Sequence, residues 1–106
     1  MAETVDDLSV NFSDEDGTLL CKELDKVVLT KGTWSTLMFM HQDFDKAKGV
    51  FKPVKFSIRR YQKRNGEYRQ KSKFVVSSSD QARKVAEVLL RWADAQGEEG
   101  GVDEED

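Results

Sequence analysis

Two runs of alternating apolar and polar residues flank the tripeptide Arg64-Asn65-Gly66, and this pattern is typical of a β-hairpin. The runs cover residues 54–62 and 68–76, and both contain β-branched and aromatic residues, which favour strands. The sequence therefore predicts two antiparallel strands joined by a tight turn.

The length of this turn decides which side chains share a face of the hairpin. A two-residue turn would place Ile58 opposite Lys73 and would mix apolar and charged residues on each face. A three-residue turn, with Gly66 in the left-handed conformation, instead pairs Phe56 with Phe74. Because a slip of one residue inverts every face, consistency of the faces predicts the three-residue turn.

In this register, one face of the hairpin collects cations and the other stays apolar, to be covered by a helix. The basic face comprises Lys55, Arg59, Tyr61, Arg69, Lys71 and Lys73. Like charges on neighbouring strands are unfavourable by a few tenths of a kcal/mol to ~1 kcal/mol each, which favours a polyanion that neutralises them. Alternatively, the basic face binds no partner and serves only as a solvated surface that keeps the protein soluble.

The rest of the chain predicts two further strands and one helix. The strands cover residues 19–29 and 33–41, a polar loop covers 42–52, and the helix covers 79–95. Ser78 and Gln81 form a capping-box pattern at the start of the helix. The predicted fold class is α+β: a four-stranded antiparallel sheet followed by one C-terminal helix packed on one face.

The apolar residues of the helix occupy an arc of about 200°, wider than one sheet face usually requires. Two interpretations follow. Either the helix is deeply embedded on its own sheet, or it also packs against a second copy of the chain. A small core favours the second interpretation, a homodimer through the C-terminal helix.

The strand at 33–41 offers two sets of alternating side chains. Leu37, Phe39 and His41 form the set expected in the core, which leaves Trp34 and Met38 on the open face. Trp34 is then either a platform on which a base stacks or a further core residue.

Charge is strongly segregated along the chain. Six acidic residues and no basic ones occur in 1–17, and the same holds for 97–106. The remaining stretch, 18–96, has 17 basic and eight acidic residues, although the whole chain has a net charge of −3. We expect a disordered acidic N-terminal tail at 1–17, a nucleic-acid-binding domain at 18–96, and a disordered acidic C-terminal tail at 97–106.

Few residues are available for catalysis or metal binding. The single cysteine, Cys21, excludes an internal disulfide and is expected to be an inert thiol, and the single histidine, His41, is expected to be partly exposed at a strand end. Asp43 and Asp45 lack the spacing of a calcium loop. No metal, cofactor, small-molecule substrate or enzymatic activity is expected. The sequence shows no transmembrane segment or signal peptide, so we expect no membrane partner and a cytoplasmic or nuclear location.

Two segments resemble the transcriptional positive cofactor 4 family and its whirly-like and Pur-like relatives. Residues 56–61, Phe-Ser-Ile-Arg-Arg-Tyr, resemble the third strand of that family, and residues 72–77, Ser-Lys-Phe-Val-Val-Ser, resemble its last strand. The similarity covers roughly 20–93. It implies a homodimer that binds single-stranded DNA, with Arg59, Tyr61 and Lys73 in the groove. Lys73 stands where the family has glycine, and Ser72 stands where it has lysine.

We therefore expect a non-enzymatic protein that binds single-stranded nucleic acid, DNA in particular, with low sequence specificity. Phosphates would contact Lys55, Arg59, Arg69, Lys71 and Lys73, and bases would stack on Tyr61 and Trp34. RNA binding, or docking of an acidic partner protein, remains an alternative. The acidic tails would compete for the basic face.

Overall fold

The computed structural model describes residues 4–96 and has an α+β fold, in which a curled antiparallel sheet is followed by one C-terminal helix. A 3-10 helix, Val5–Asp7, precedes the sheet. The strands are β1 Phe12–Ser13, β2 Leu19–Thr30, β3 Trp34–Asp45, β4 Val50–Phe51, β5 Lys55–Arg64 and β6 Glu67–Val76, and the helix is α1 Ser79–Gln96. The strand order is β1-β2-β3-β5-β6, and β4 pairs with the end of β3. The predicted count of four strands was too low, because two-residue strands carry no periodic signal.

Alternation along the strands gives the sheet two distinct faces, which we call the core face and the outer face. The core face carries Ser35, Leu37, Phe39, His41, Ser57, Tyr61 and Tyr68, all of them buried. The outer face carries Trp34, Met38, Met40, Phe56, Ile58 and Phe74, none of them buried. The apolar side chains of β3 and β5 are thus divided between the two faces.

The N-terminal segment, residues 4–13, covers the core face and completes the hydrophobic core. Val5, Leu8 and Val10 are buried against a cluster that includes Phe39 and Tyr61. In the sequence, the acidic residues around them indicated disorder, so these apolar residues were not recognised as part of the core. The expectation of a disordered tail at 1–17 is therefore wrong for the part that the structure describes, while the expectation for 97–106 lies outside the described residues.

Polar contacts from β2 hold this segment in place. The Lys26 ammonium donates hydrogen bonds to the carbonyl oxygens of Val5 and Leu8, both at 2.7 Å. The Glu23 carboxylate accepts hydrogen bonds from the Ser9 hydroxyl at 2.7 Å and from the Val10 N–H at 3.3 Å. These bonds pair the Leu8 carbonyl and the Val10 N–H, and they give a second donor to the Val5 carbonyl, which also accepts from the Leu8 N–H at 3.2 Å.

The hairpin has the two-residue turn, but neither of the registers considered from the sequence holds along its whole length. Arg64 pairs with Glu67 across a two-residue turn in which Asn65 and Gly66 have φ of 55° and 82°. Left-handed conformation at both central residues is what a type I′ turn requires, and Asn-Gly provides it.

A β-bulge at Lys71 then shifts the pairing by one residue, so that apolar residues of β5 and β6 lie opposite each other on one face. Arg60 pairs with Ser72 but Tyr61 pairs with Gln70, so Lys71 is the extra residue, and beyond the bulge Ile58 lies opposite Phe74. The prediction of a three-residue turn was wrong because the one-residue correction lies within the strand instead of in the turn.

The predicted division of β3 is confirmed, because Leu37, Phe39 and His41 are buried in the core. The pairing of β3 with β5, however, places beside this set the face of β5 opposite to the one that the sequence predicted. Leu37 lies opposite Arg59 on the core face, whereas Met38 lies opposite Ile58 on the outer face. Trp34 is on the outer face too, so it does not share a surface with Arg59 and Lys73.

Helix α1 begins at Ser79, as the sequence predicts, but it does not cover the sheet. Its start is capped because the Gln81 N–H donates to the Ser78 hydroxyl oxygen at 3.1 Å. None of its residues is buried, and its contacts are mainly with β6. The large side chains Leu89, Leu90 and Trp92 are 54%, 64% and 63% exposed, so the expectation of a helix packed on one face was wrong. Within residues 4–96, no helix combines the length and the apolar character needed to cross a bilayer.

Candidate nucleic-acid interface

A groove of about 550 Å³ opens at one end of the core face. One wall is the N-terminal segment from Ser9 to Phe12, and the floor and the other wall come from β2, β3, β5 and β6. The groove exists because the N-terminal segment covers the centre of the core face but leaves this end of the sheet open.

Three cations line the groove, and their positions follow from the strand register. Lys55 and Arg59 lie four residues apart on β5 and therefore point to the same face, and Lys73 of β6 lies opposite Arg59. The only acid among the groove-lining residues is Asp43, whose carboxylate is 3.3 Å from the Lys55 ammonium. The lining residues therefore carry a net positive charge, which suits an anionic ligand.

Arg59 is held in a fixed orientation. Its Nε donates to the Ser57 hydroxyl oxygen at 3.0 Å, and one terminal nitrogen donates to the Gln70 amide oxygen at 3.0 Å. The guanidinium carbon lies 5.8 Å from the centroid of the Phe39 ring. Because these contacts fix the guanidinium before any ligand binds, little side-chain entropy is lost when it contacts a phosphate.

An exposed aromatic ring, Phe12, lies on the rim of the same groove. It is 60% exposed although it pairs with Cys21 at the edge of the sheet. A phenyl ring left in solvent beside cations is the combination that single-stranded nucleic acids use for stacking. The sequence analysis missed Phe12, and its one available signal was a lone aromatic residue within an acidic segment.

Tyr61 is not available as a stacking platform. It is 5% exposed and belongs to the hydrophobic core, and burial raises the pKa of its hydroxyl. The predicted role of Tyr61 was wrong because the N-terminal segment covers it.

The other three predicted site residues lie away from the groove. Trp34 is half-buried on the outer face, where the guanidinium carbon of Arg60 is 4.7 Å from its ring centroid. Arg69 is exposed on the outer face, with a terminal nitrogen 3.6 Å from the Glu67 carboxylate, and Lys71 is exposed at the bulge. The structure thus brings together Lys55, Arg59 and Lys73, and it separates Trp34, Arg69 and Lys71 from them.

The floor of the groove contains Cys21, His41 and Asp43. His41 is only 4% exposed, so the expectation of a partly exposed histidine was wrong. Burial lowers the pKa of His41, and the neighbouring Asp43 carboxylate opposes this shift. Burial, and then the same carboxylate, raise the pKa of the Cys21 thiol.

No protein-family model, curated protein or solved structure matches this chain. The site is therefore interpreted from its own geometry: a basic groove with a fixed guanidinium and an exposed ring at its rim.

Proposed function

We propose that the protein binds single-stranded nucleic acid, without catalysing a reaction, through the basic groove and Phe12. Phosphates contact Lys55, Arg59 and Lys73, and one base stacks on the Phe12 ring. The observation that carries this proposal is the convergence of three cations and an exposed aromatic side chain on one groove. The ligand is single-stranded DNA with low sequence specificity, because the groove offers charge and a ring face, which every base can use.

The resemblance to the positive cofactor 4 family supports the same conclusion in part. Two of the three positions that it implies, Arg59 and Lys73, line the groove, whereas Tyr61 is buried. Phe12 takes the stacking role that the resemblance would give to Tyr61.

The proposal includes a homodimer formed through α1. In proteins, most of the stability of a helix comes from packing of its apolar face, and α1 buries none of its residues, so a packing partner would supply what the chain alone does not. Its exposed Leu89 and Trp92, together with Phe74 of the outer face, leave large apolar side chains in solvent. A second copy presents the same surface, which a two-fold symmetric interface requires.

Sedimentation equilibrium tests the dimer. Leu89→Asp is expected to convert the dimer to a monomer, because it puts a charge into the apolar stripe of α1. Arg91→Asp, on the polar side of the same helix, is the matched control and should leave the mass unchanged. A monomeric wild-type chain at micromolar concentration would overturn this part of the proposal.

Fluorescence anisotropy with single-stranded DNA, single-stranded RNA and duplex DNA, each at two salt concentrations, tests the binding function. Three phosphate contacts predict a slope of log K against log salt of about −2 per groove, since each contributes about 0.7. Stronger binding to RNA would change the ligand assignment. Failure of all three oligonucleotides would overturn the proposal and favour an acidic protein partner.

Two substitutions on β6, one in the groove and one on the outer face, test which surface binds the nucleic acid. Lys73→Ala should weaken binding and reduce the slope by about 0.7 per groove. Arg69→Ala removes one positive charge from the outer face and should leave the affinity and the salt slope unchanged. Equal effects of the two substitutions would show that the groove is not the binding surface.

Substitution of Phe12 tests the stacking contact. Phe12→Ala should weaken binding about 5- to 150-fold, the range that corresponds to ~1–3 kcal/mol per stacked base. Phe12→Trp keeps a ring at the rim and should retain the affinity. Loss of affinity in both variants would contradict a stacking role.

A further inference from the structure

Three potential metal ligands of different types converge on the floor of the groove. The Cys21 Sγ is 3.8 Å from the His41 Nδ1, and the same nitrogen is 3.9 Å from an oxygen of Asp43. All three donor atoms lie within 4.8 Å of one another. The sequence analysis expected no metal site, because the three residues are separated along the chain and only the sheet brings them together.

The strand ladder fixes this arrangement. Cys21 of β2 lies directly opposite Asp43 of β3, and His41 precedes Asp43 by two residues and so points to the same face. The donors are thus positioned by backbone pairing and not by a flexible loop, which reduces the cost of organising them around an ion.

The distances are close to those of a tetrahedral metal site. Zinc binds thiolate sulfur at ~2.3 Å, imidazole nitrogen at ~2.0–2.1 Å and carboxylate oxygen at ~2.0–2.2 Å, which places neighbouring donors roughly 3.3–3.6 Å apart. Two of the observed distances exceed this range by a few tenths of an ångström, and the sulfur–oxygen pair lies within 4.8 Å. Side-chain rotations that move a donor by about 1 Å would bring all three around an ion. The groove leaves a fourth position open to water.

The state of His41 points to a ligand. Its Nδ1 is directed at the cluster and has only two long contacts there, 3.8 Å to the Cys21 sulfur and 3.9 Å to an Asp43 oxygen. A buried imidazole with so few partners is costly, and a bound cation at Nδ1 would relieve part of this cost.

A nucleophile–base–carboxylate relay does not fit the same residues. In such a relay the nucleophile and the carboxylate contact opposite nitrogens of the imidazole. Here Cys21 and Asp43 both face Nδ1. Convergence on one nitrogen is the arrangement expected around a shared ion.

Electrostatics permit a dication despite the surrounding cations. A bound Cys21 is a thiolate, and with the Asp43 carboxylate it supplies two negative charges against two positive ones. The second oxygen of Asp43 is 3.3 Å from the Lys55 ammonium, which is the kind of outer contact that orients a metal-binding carboxylate.

We propose that Cys21, His41 and Asp43 form a binding site for a divalent transition-metal ion of the zinc class, with a fourth position open to the groove. This inference goes beyond nucleic-acid binding and does not depend on it.

Cobalt(II) titration of the full chain tests the site. One equivalent of Co²⁺ should produce a thiolate-to-cobalt charge-transfer band in the near ultraviolet and ligand-field bands in the visible, and Zn²⁺ should displace it. Because Cys21 is the only cysteine, the charge-transfer band reports this residue alone. Affinity should rise with pH, since the thiol must lose its proton.

Two substitutions and one control complete the test. Cys21→Ser should abolish the charge-transfer band, and Asp43→Asn should weaken Co²⁺ binding at least about tenfold, because even loss of an outer-shell contact commonly costs that much. Asp25→Asn, on the outer face of β2, removes an equal charge and should leave binding unchanged. Absence of the band from the wild-type protein at stoichiometric Co²⁺, or equal affinity in Asp43→Asn, would overturn the proposal.

Discussion

The place of Leu8 in the core provides the sharpest test of the fold. Leu8 is 7% exposed and packs in the cluster that contains Phe39 and Tyr61. Leu→Ala at buried sites costs ~2–5 kcal/mol, and a position in an edge segment that can partly collapse belongs at the lower end, about 2.5 kcal/mol. Leu8→Ala should therefore destabilise the protein by this amount.

Urea unfolding of the full chain, followed by tryptophan fluorescence, measures this loss. With a denaturant slope of about 1.5 kcal/mol per molar, a loss of about 2.5 kcal/mol lowers the midpoint by roughly 1.7 M. Protein concentration must be held constant, because dimerisation would contribute to the apparent stability.

Leu29→Ala is the matched control. Leu29 is 52% exposed on β2, so the same truncation there should lower the unfolding free energy by less than about 1 kcal/mol. Equal midpoints for the two variants would refute the reasoning, because they would mean that the N-terminal segment does not complete the core.

Three further outcomes are expected. Gly66→Ala should lower the unfolding free energy by about 1 kcal/mol because Gly66 has φ of 82°, whereas Asn65→Gly should be nearly neutral; equal unfolding curves would contradict the type I′ turn. Burial lowers the folded-state pKa of His41, so the unfolded state binds more protons and stability should fall as pH drops below 6.5, by at most ~1.4 kcal/mol per pH unit. Unfolding in the presence of a chelator measures this slope, which should disappear in His41→Gln; a wild-type slope in that variant would assign the effect to another group. Trp34→Ala should change the affinity for single-stranded DNA less than twofold in the anisotropy assay, because Trp34 lies on the outer face; a tenfold loss would restore its predicted stacking role.

The sequence predicted the local elements well, because their signals are local. Alternating residues around Asn65-Gly66 located the hairpin, and Ser78 with Gln81 located the start of α1. Three of the seven predicted binding residues, Lys55, Arg59 and Lys73, line one groove because β5 and β6 are paired at that end.

The predictions that failed concern strand register and burial, which depend on contacts between residues distant in the sequence. The bulge at Lys71 has no local sequence signal, and it shifts the pairing of β5 with β6 from Arg60 to Phe56. Acidic composition concealed Val5, Leu8 and Val10, whose burial depends on a sheet formed later in the chain. Once they occupy the core face, Tyr61 is removed from solvent.

The N-terminal segment also determines when folding can finish. Val5, Leu8 and Val10 leave the ribosome before β5 and β6, yet their partners include Tyr61 and Tyr68. Contacts between residues so distant in sequence close large loops and slow folding. During synthesis, therefore, the apolar side of the incomplete sheet is exposed until β5 and β6 have emerged. In that interval the nascent chain is most in need of a chaperone.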